Sequence, residues 1–223
     1  MVMHGGVDGD LGAYGRPKDY VYDWDSTQLQ TKLDIGGGER MPSLEYVIML
    51  ALDAPKMQIH IEVKVPFRSE KAKARYDSLT ACKLVRDLID KYEIRERTSV
   101  IVWDPQVVAN MYKVKKQRWY PKDFKILQLV NMYLEPPKIG YETQRGLEGI
   151  LIHNNFLQQE FIEKNHAIGQ GKLVGIWCTT LKGKVKEADE AAMYDKLFGK
   201  TGKRVDFFYS DHPSKAMKAR DKI

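Results

Sequence analysis

Cysteine is nearly absent from this 223-residue chain. Cys82 and Cys178 are the only two, and they stand far apart. That excludes a disulfide framework and any paired-cysteine zinc spacing; buried free thiols are expected, with a single bridge as the alternative. Long apolar runs are also missing. The longest, YVIMLAL at 46–52, is stopped by Asp53, well short of the ~20 residues that a membrane span requires. No charged leader followed by an apolar stretch opens the sequence, so the start, taken as genuine, implies a cytoplasmic chain. A glycine-rich phosphate loop is lacking too. Gly36, Gly37 and Gly38 follow no convincing strand and precede Met41 and Pro42, which makes them a turn. The five histidines form no His-Glu-x-x-His pattern, and neither a Ser-His-Asp nor a Cys-His arrangement stands out. Without an internal repeat or a Ser/Gly/Pro-rich linker, residues 1–223 are expected to form one domain.

What is present is an ordinary globular balance, 43% hydrophobic and 30% charged, which excludes disordered and fibrous classes. The formal net charge of +6 allows anionic partners such as phosphate esters. The segment YKVKKQRWYPKDFK at 112–125 interleaves aromatic and basic residues, a pattern able to bind single-stranded nucleic acid. One element alone carries it and no nucleic-acid module surrounds it. It reads as the solvated face of a helix and the loop that follows, and nucleic acid is not the expected partner.

Two hydrophobic periods take turns along the chain. Apolar runs of strand length occur near 58–65, 98–103, 125–131, 149–153, 173–178 and 204–209. Helical patterns lie at 43–52, 69–92, 105–115, 156–166, 187–197 and 214–221, with Ser43 and Ser69 as N-caps. In the helix at 69–92, Leu79, Cys82, Leu84, Val85, Leu88 and Ile89 make the apolar stripe. Strand followed by helix, about six times, implies parallel strands joined by crossover helices. An open doubly wound sheet and a (β/α)-barrel both satisfy this pattern.

The stretch QIHIEVKV at 58–65 alternates strictly, with His60, Glu62 and Lys64 on one face and Ile59, Ile61, Val63 and Val65 on the other. On an open strand such a polar face meets water. Inside a barrel, Glu62 and Lys64 would lie close together and partly shielded, and a buried carboxylate there would need a partner or a cation. Further polar residues follow the other strands: Trp103 and Asp104, Asn131 and Glu135, His153 and Asn154, Cys178 to Thr180, and Ser210 to Pro213. For Asp104 and Ser214, capping of the next helix is the preferred reading.

Several segments together resemble the glycerophosphodiester phosphodiesterases. ERMPSLEYVI (39–48) followed by IHIEVK (59–64) resembles a family signature. VIVWDPQVV (100–108), GKLVGIWCTT (171–180) and VDFFYSDHP (205–213) resemble later ones in the same order. VMHGG (2–6) and STQLQTKLDIGGGERMP (26–42) resemble the stretch around the family's second catalytic histidine. The resemblance implies a (β/α)8 TIM-type barrel that hydrolyses glycerophosphodiesters to an alcohol and glycerol 3-phosphate with Ca²⁺ or Mg²⁺. By position it makes His4 a catalytic acid/base, Glu62 a metal ligand, Lys64 a phosphate-binding cation and Trp177 a pocket aromatic.

The family's opening His-Arg-Gly, Glu-Asn-Thr and Glu-x-Asp segments have no counterpart here, and Gly5 stands where the family has Asp. An incomplete barrel is therefore expected, with about six of eight strands and an incomplete ligand set, as from an N-terminally shortened member. The alternative is an inactive barrel that binds phosphate esters or scaffolds a partner.

Overall fold

The computed structural model describes residues 10–66, 70–129, 147–153, 172–177, 206–210, 214, 217 and 218. The chain forms two compact units, one of Met1–Val100 with Lys113–Phe124, the other of Ile101–Tyr112 with Lys125–Ile223.

The first unit opens with β1 (Asp10–Leu11) and β2 (Arg16–Tyr20), paired antiparallel around Gly15 in the left-handed region. Helix α1 (Ser26–Lys32) follows under a full capping box. The Asp25 carboxylate accepts from the Gln28 N–H at 2.7 Å, and Gln28 Oε1 accepts from the Asp25 N–H at 3.0 Å. Leu11, Leu29, Leu33 and Met41 bury together under Tyr14, Val21, Trp24 and Ile35. Neither the hairpin nor α1 was expected. RPKDY carries no alternation, and the segment is held by contacts distant in sequence: Arg75 and Lys71 reach the Asp23 carboxylate at 3.2 and 3.3 Å. The glycine turn is confirmed. Asp34 Oδ1 accepts from the Gly36 N–H at 2.7 Å, and Gly36, Gly37 and Gly38 all have positive φ.

Helix α2 (Leu44–Leu52) starts where expected, with Ser43 Oγ accepting from the Tyr46 N–H. Arg97 closes its other end by donating to the carbonyls of Ala51 and Ala54. Strand β3 (Ile59–Val63) comes next. The expected single helix at 69–92 is two helices, α3 (Glu70–Arg75) and α4 (Ser78–Lys91). The apolar period runs on, but Asp77 turns extended and accepts from the Thr80 N–H, restarting the helix. Ser69 lies outside the described residues. Cys82 and Ile89 face the core, whereas Leu84 is 61% exposed, because two residues of helix carry it about 200° around from Cys82. Arg86 takes a buried place on that helix instead.

Strand β4 (Thr98–Val102) runs from the end of the first unit, at Val100, into the start of the second, at Ile101. In the second unit, Asp104 caps α5 (Pro105–Lys115) by accepting from the Val107 N–H at 3.0 Å, as expected. Strands β5 (Lys125–Leu129), β6 (Gly149–His153), β7 (Leu173–Trp177) and β8 (Phe207–Tyr209) follow in chain order, paired parallel. Their amino-terminal ladder is completed by side chains. Glu148 accepts from the Ile126 N–H and Asp206 from the Val174 N–H, each at 2.7 Å. Ile101, Leu127 and Leu151 form the buried layer on one face. The expected helices at 156–166 and 187–197 lie outside the described residues. Of 214–221, Ser214, Met217 and Lys218 are described, as helical. No helix among the described residues is long and apolar enough to cross a membrane.

Candidate functional site

Alternation along β3 decides what its side chains meet. Ile61, Val63 and Val65 are buried, while Glu62 and Lys64 lie on the open face and His60 is half-buried. Glu62 Oε2 stands 3.9 Å from Lys64 Nζ, with the two side chains 39% and 47% exposed. The two groups are close, as expected, but more open to solvent than a barrel interior implies. An exposed pair of this kind contributes about 0–1 kcal/mol to stability. Its ammonium can therefore be given up to a ligand at little cost to the fold.

Ca²⁺ takes six to eight oxygen ligands, and Mg²⁺ demands near-octahedral oxygen coordination. Glu62 supplies one carboxylate, and the Lys64 ammonium 3.9 Å away is a cation that opposes metal binding. No group of three or more His, Cys, Asp or Glu side chains that could hold a metal occurs among the described residues. The described residues by themselves do not fit the expected divalent ion.

The remaining expected site residues are placed differently. His4 lies outside the described residues. Trp177 ends β7, and its backbone pairs with His153 on one side and Tyr209 on the other. Asp104 is committed to its helix cap. Trp119, in the basic aromatic segment, is 85% exposed, whereas Phe124 in the same segment is fully buried. That loop is solvated at its middle and anchored at its end.

A buried ionic cluster in the first unit escaped sequence reading. Arg95 is ion-paired with both Asp90 and Asp123, and its guanidinium carbon sits 3.6 Å from the centroid of the Tyr120 ring. Arg86 donates to the Val114 carbonyl and the Gln117 side chain. The local signal was an arginine on the buried side of α4, which reads as a periodicity error until its partners are placed.

No protein-family model matches the sequence, and no curated protein matches it. Solved structures do. The chain's fold is that of a partial (β/α)8-type barrel. A candidate glycerophosphodiester phosphodiesterase from Galdieria sulphuraria superposes with a TM-score of 0.71 at 21% identity, over 98% of this chain and 79% of that one. The glycerophosphodiester phosphodiesterase of Parabacteroides distasonis gives 0.60 at 18% identity, over 93% and 73%. That of Agrobacterium tumefaciens gives 0.57 at 14%, over 94% and 74%. At these identities the likeness is one of fold, and the chemistry has to be argued from the residues.

Proposed function

We propose that the protein is a phosphoric diester hydrolase acting on glycerophosphodiesters, releasing an alcohol and glycerol 3-phosphate. The observation that carries this reading is the open Glu62–Lys64 pair on β3, in a chain whose fold matches solved glycerophosphodiester phosphodiesterases. Lys64 places a cation for the phosphoryl oxygens, and Glu62 holds that ammonium until the phosphate takes it over. His4 is proposed as the acid that gives its proton to the departing alkoxide as water oxygen bonds to phosphorus. Trp177 is proposed as an apolar wall beside the substrate. Ca²⁺ or Mg²⁺ would add charge at the phosphoryl group when bound, and its further ligands would have to come from outside the described residues.

A second reading has its own support. With one carboxylate on the β3 face and no metal-binding cluster among the described residues, the same face suits a module that binds phosphate esters without turning them over. Release of glycerol 3-phosphate from glycerophosphocholine, measured with and without a chelator, separates the two. Turnover that is lost in Lys64→Met supports the hydrolase. Binding of glycerol 3-phosphate without turnover supports the binding module. Neither turnover nor binding removes both.

A further inference from the structure

The loop after α5 presents one large apolar side chain that the fold does not cover. Trp119 is 85% exposed, and no other large apolar side chain among the described residues exceeds 61%. An indole left in water forgoes the burial that this side chain ordinarily gains. Its neighbours in the chain are held close. Gln117 Oε1 accepts from Arg86 Nη1 at 2.9 Å, and Arg118 Nη1 donates to the Asp90 carboxylate at 2.9 Å. The Tyr120 ring centroid lies 3.6 Å from the Arg95 guanidinium carbon. Lys122 is paired with Glu96 at 3.1 Å, Asp123 with Arg95, and Phe124 is fully buried. Residues on both sides of Trp119 are thus tied to α4 and to the turn at 95–97, and the indole between them stands out. A loop anchored in this way holds the side chain in place before a partner arrives, which reduces the entropy lost on binding.

Charge around the indole has one sign. Residues 113–122 carry Lys113, Lys115, Lys116, Arg118 and Lys122, with no acidic residue among them. Lys116, Arg118 and Lys122 are exposed. The carboxylates that reach this region are already shared among cations: Asp90 is paired with both Arg95 and Arg118, and Asp123 with Arg95. The surface about Trp119 therefore keeps an excess of positive charge.

An indole has an apolar body and a polar N–H, the combination that settles at the headgroup boundary of a bilayer. Lysine and arginine around it attract anionic lipid. Single-stranded nucleic acid answers the same charge, but it stacks successive bases on several aromatic rings along a groove. Here Arg95 covers a face of Tyr120 and Phe124 is buried, so neither continues a stacking row from Trp119. A protruding ring within a basic rim suits a flat anionic surface.

We propose that Trp119, with Lys116, Arg118 and Lys122 around it, docks the protein peripherally on an anionic lipid bilayer. The indole enters the headgroup boundary and the basic side chains meet the lipid phosphates and carboxylates. This docking does not depend on the hydrolase reading.

The test uses the full chain and sedimentation with phosphatidylcholine vesicles, with or without about 30% phosphatidylserine. At about 0.1 M salt, binding should be at least about tenfold tighter with phosphatidylserine, and about 1 M salt should remove that preference by screening. Trp119→Ala should weaken binding by at least about tenfold. Lys116→Gln with Lys122→Gln should do the same. Tryptophan emission should shift to the blue on vesicle binding, and the shift should vanish in Trp119→Ala. Leu50→Ser, at an exposed apolar position on α2, should leave binding unchanged. Absence of vesicle binding, binding that survives Trp119→Ala, or an equal loss in Leu50→Ser overturns the proposal. Trp119-dependent binding of oligothymidylate without vesicle binding also overturns it and assigns the loop to single-stranded nucleic acid.

Discussion

Glu62 and Lys64 face each other across 3.9 Å on the open side of β3, while Ile61, Val63 and Val65 pack inward. The strand separates its work by face, apolar side chains holding the fold and the ion pair left to solvent. Removing either charge should therefore barely touch stability. Glu62→Gln and Lys64→Met should each shift the unfolding free energy by less than about 1 kcal/mol in urea titrations. Lys64→Met should lower hydrolysis of glycerophosphocholine by at least about tenfold, the scale of a lost charged hydrogen bond. A large loss of stability instead would make the pair structural.

The opposite holds for Asp90. Its carboxylate is ion-paired with the buried Arg95 and with Arg118, and it lies 4.0 Å from the equally buried Arg86. Asp90→Ala removes one carboxylate from beside two guanidinium groups that are 5% and 7% exposed; Arg95 keeps Asp123 and Arg86 keeps Asp87, so the loss should cost about 1–3 kcal/mol. Lys73→Ala, which removes an exposed pair with Glu70, should stay within about 0.5 kcal/mol. Equilibrium unfolding of both variants checks the contrast.

Where the chain encodes an element locally, the sequence showed it. β4 and β7 are apolar runs, α2 and α5 begin at Ser43 and Asp104 caps, and the three glycines make a turn. The alternation of QIHIEVKV is local too, and β3 buries its apolar face and leaves Glu62 and Lys64 open. Long-range contacts were not legible. Asp77 splits α3 from α4 within an unbroken apolar period. Arg86 and Arg95 are buried only because Asp90, Asp123, Gln117 and Tyr120 come to meet them. RPKDY forms a strand although it has no strand pattern.

Two kinds of glycine should respond differently to alanine. At Gly149 an added Cβ would meet the Leu173 carbonyl oxygen at 2.5 Å and Leu127 Cδ2 at 2.9 Å. The first obstacle is backbone and cannot rotate away, so Gly149→Ala should cost about 1–3 kcal/mol or more. Gly37 has open space but φ of 64°, so Gly37→Ala should lose only about 1–2 kcal/mol of backbone strain. Thermal unfolding should rank Gly149→Ala as the less stable of the two.

Cys82 supplies a prediction in pH. Burial, aided by the Asp77 carboxylate, raises its thiol from the ordinary value of 9.0 to about 11. The folded state therefore holds this proton more tightly than the unfolded chain does. Stability from Cys82 is complete below pH 9.0 and is lost as pH climbs through about 11. Lys91 and Tyr92 are also raised, chiefly by their hydrogen bonds to Glu45, and they add to the same alkaline decline. Comparison with Cys82→Ala removes their share, because they titrate in both proteins; the wild type should lose stability more steeply above pH 9.0 than the variant. In a Cys178→Ser background, a thiol reagent at about pH 8 should modify Cys82 only as fast as the protein opens, since both burial and the missing thiolate protect it. Adding urea should release the reaction at the unfolding midpoint. Rapid modification of the folded protein would show that the thiol is accessible and its proton easily lost.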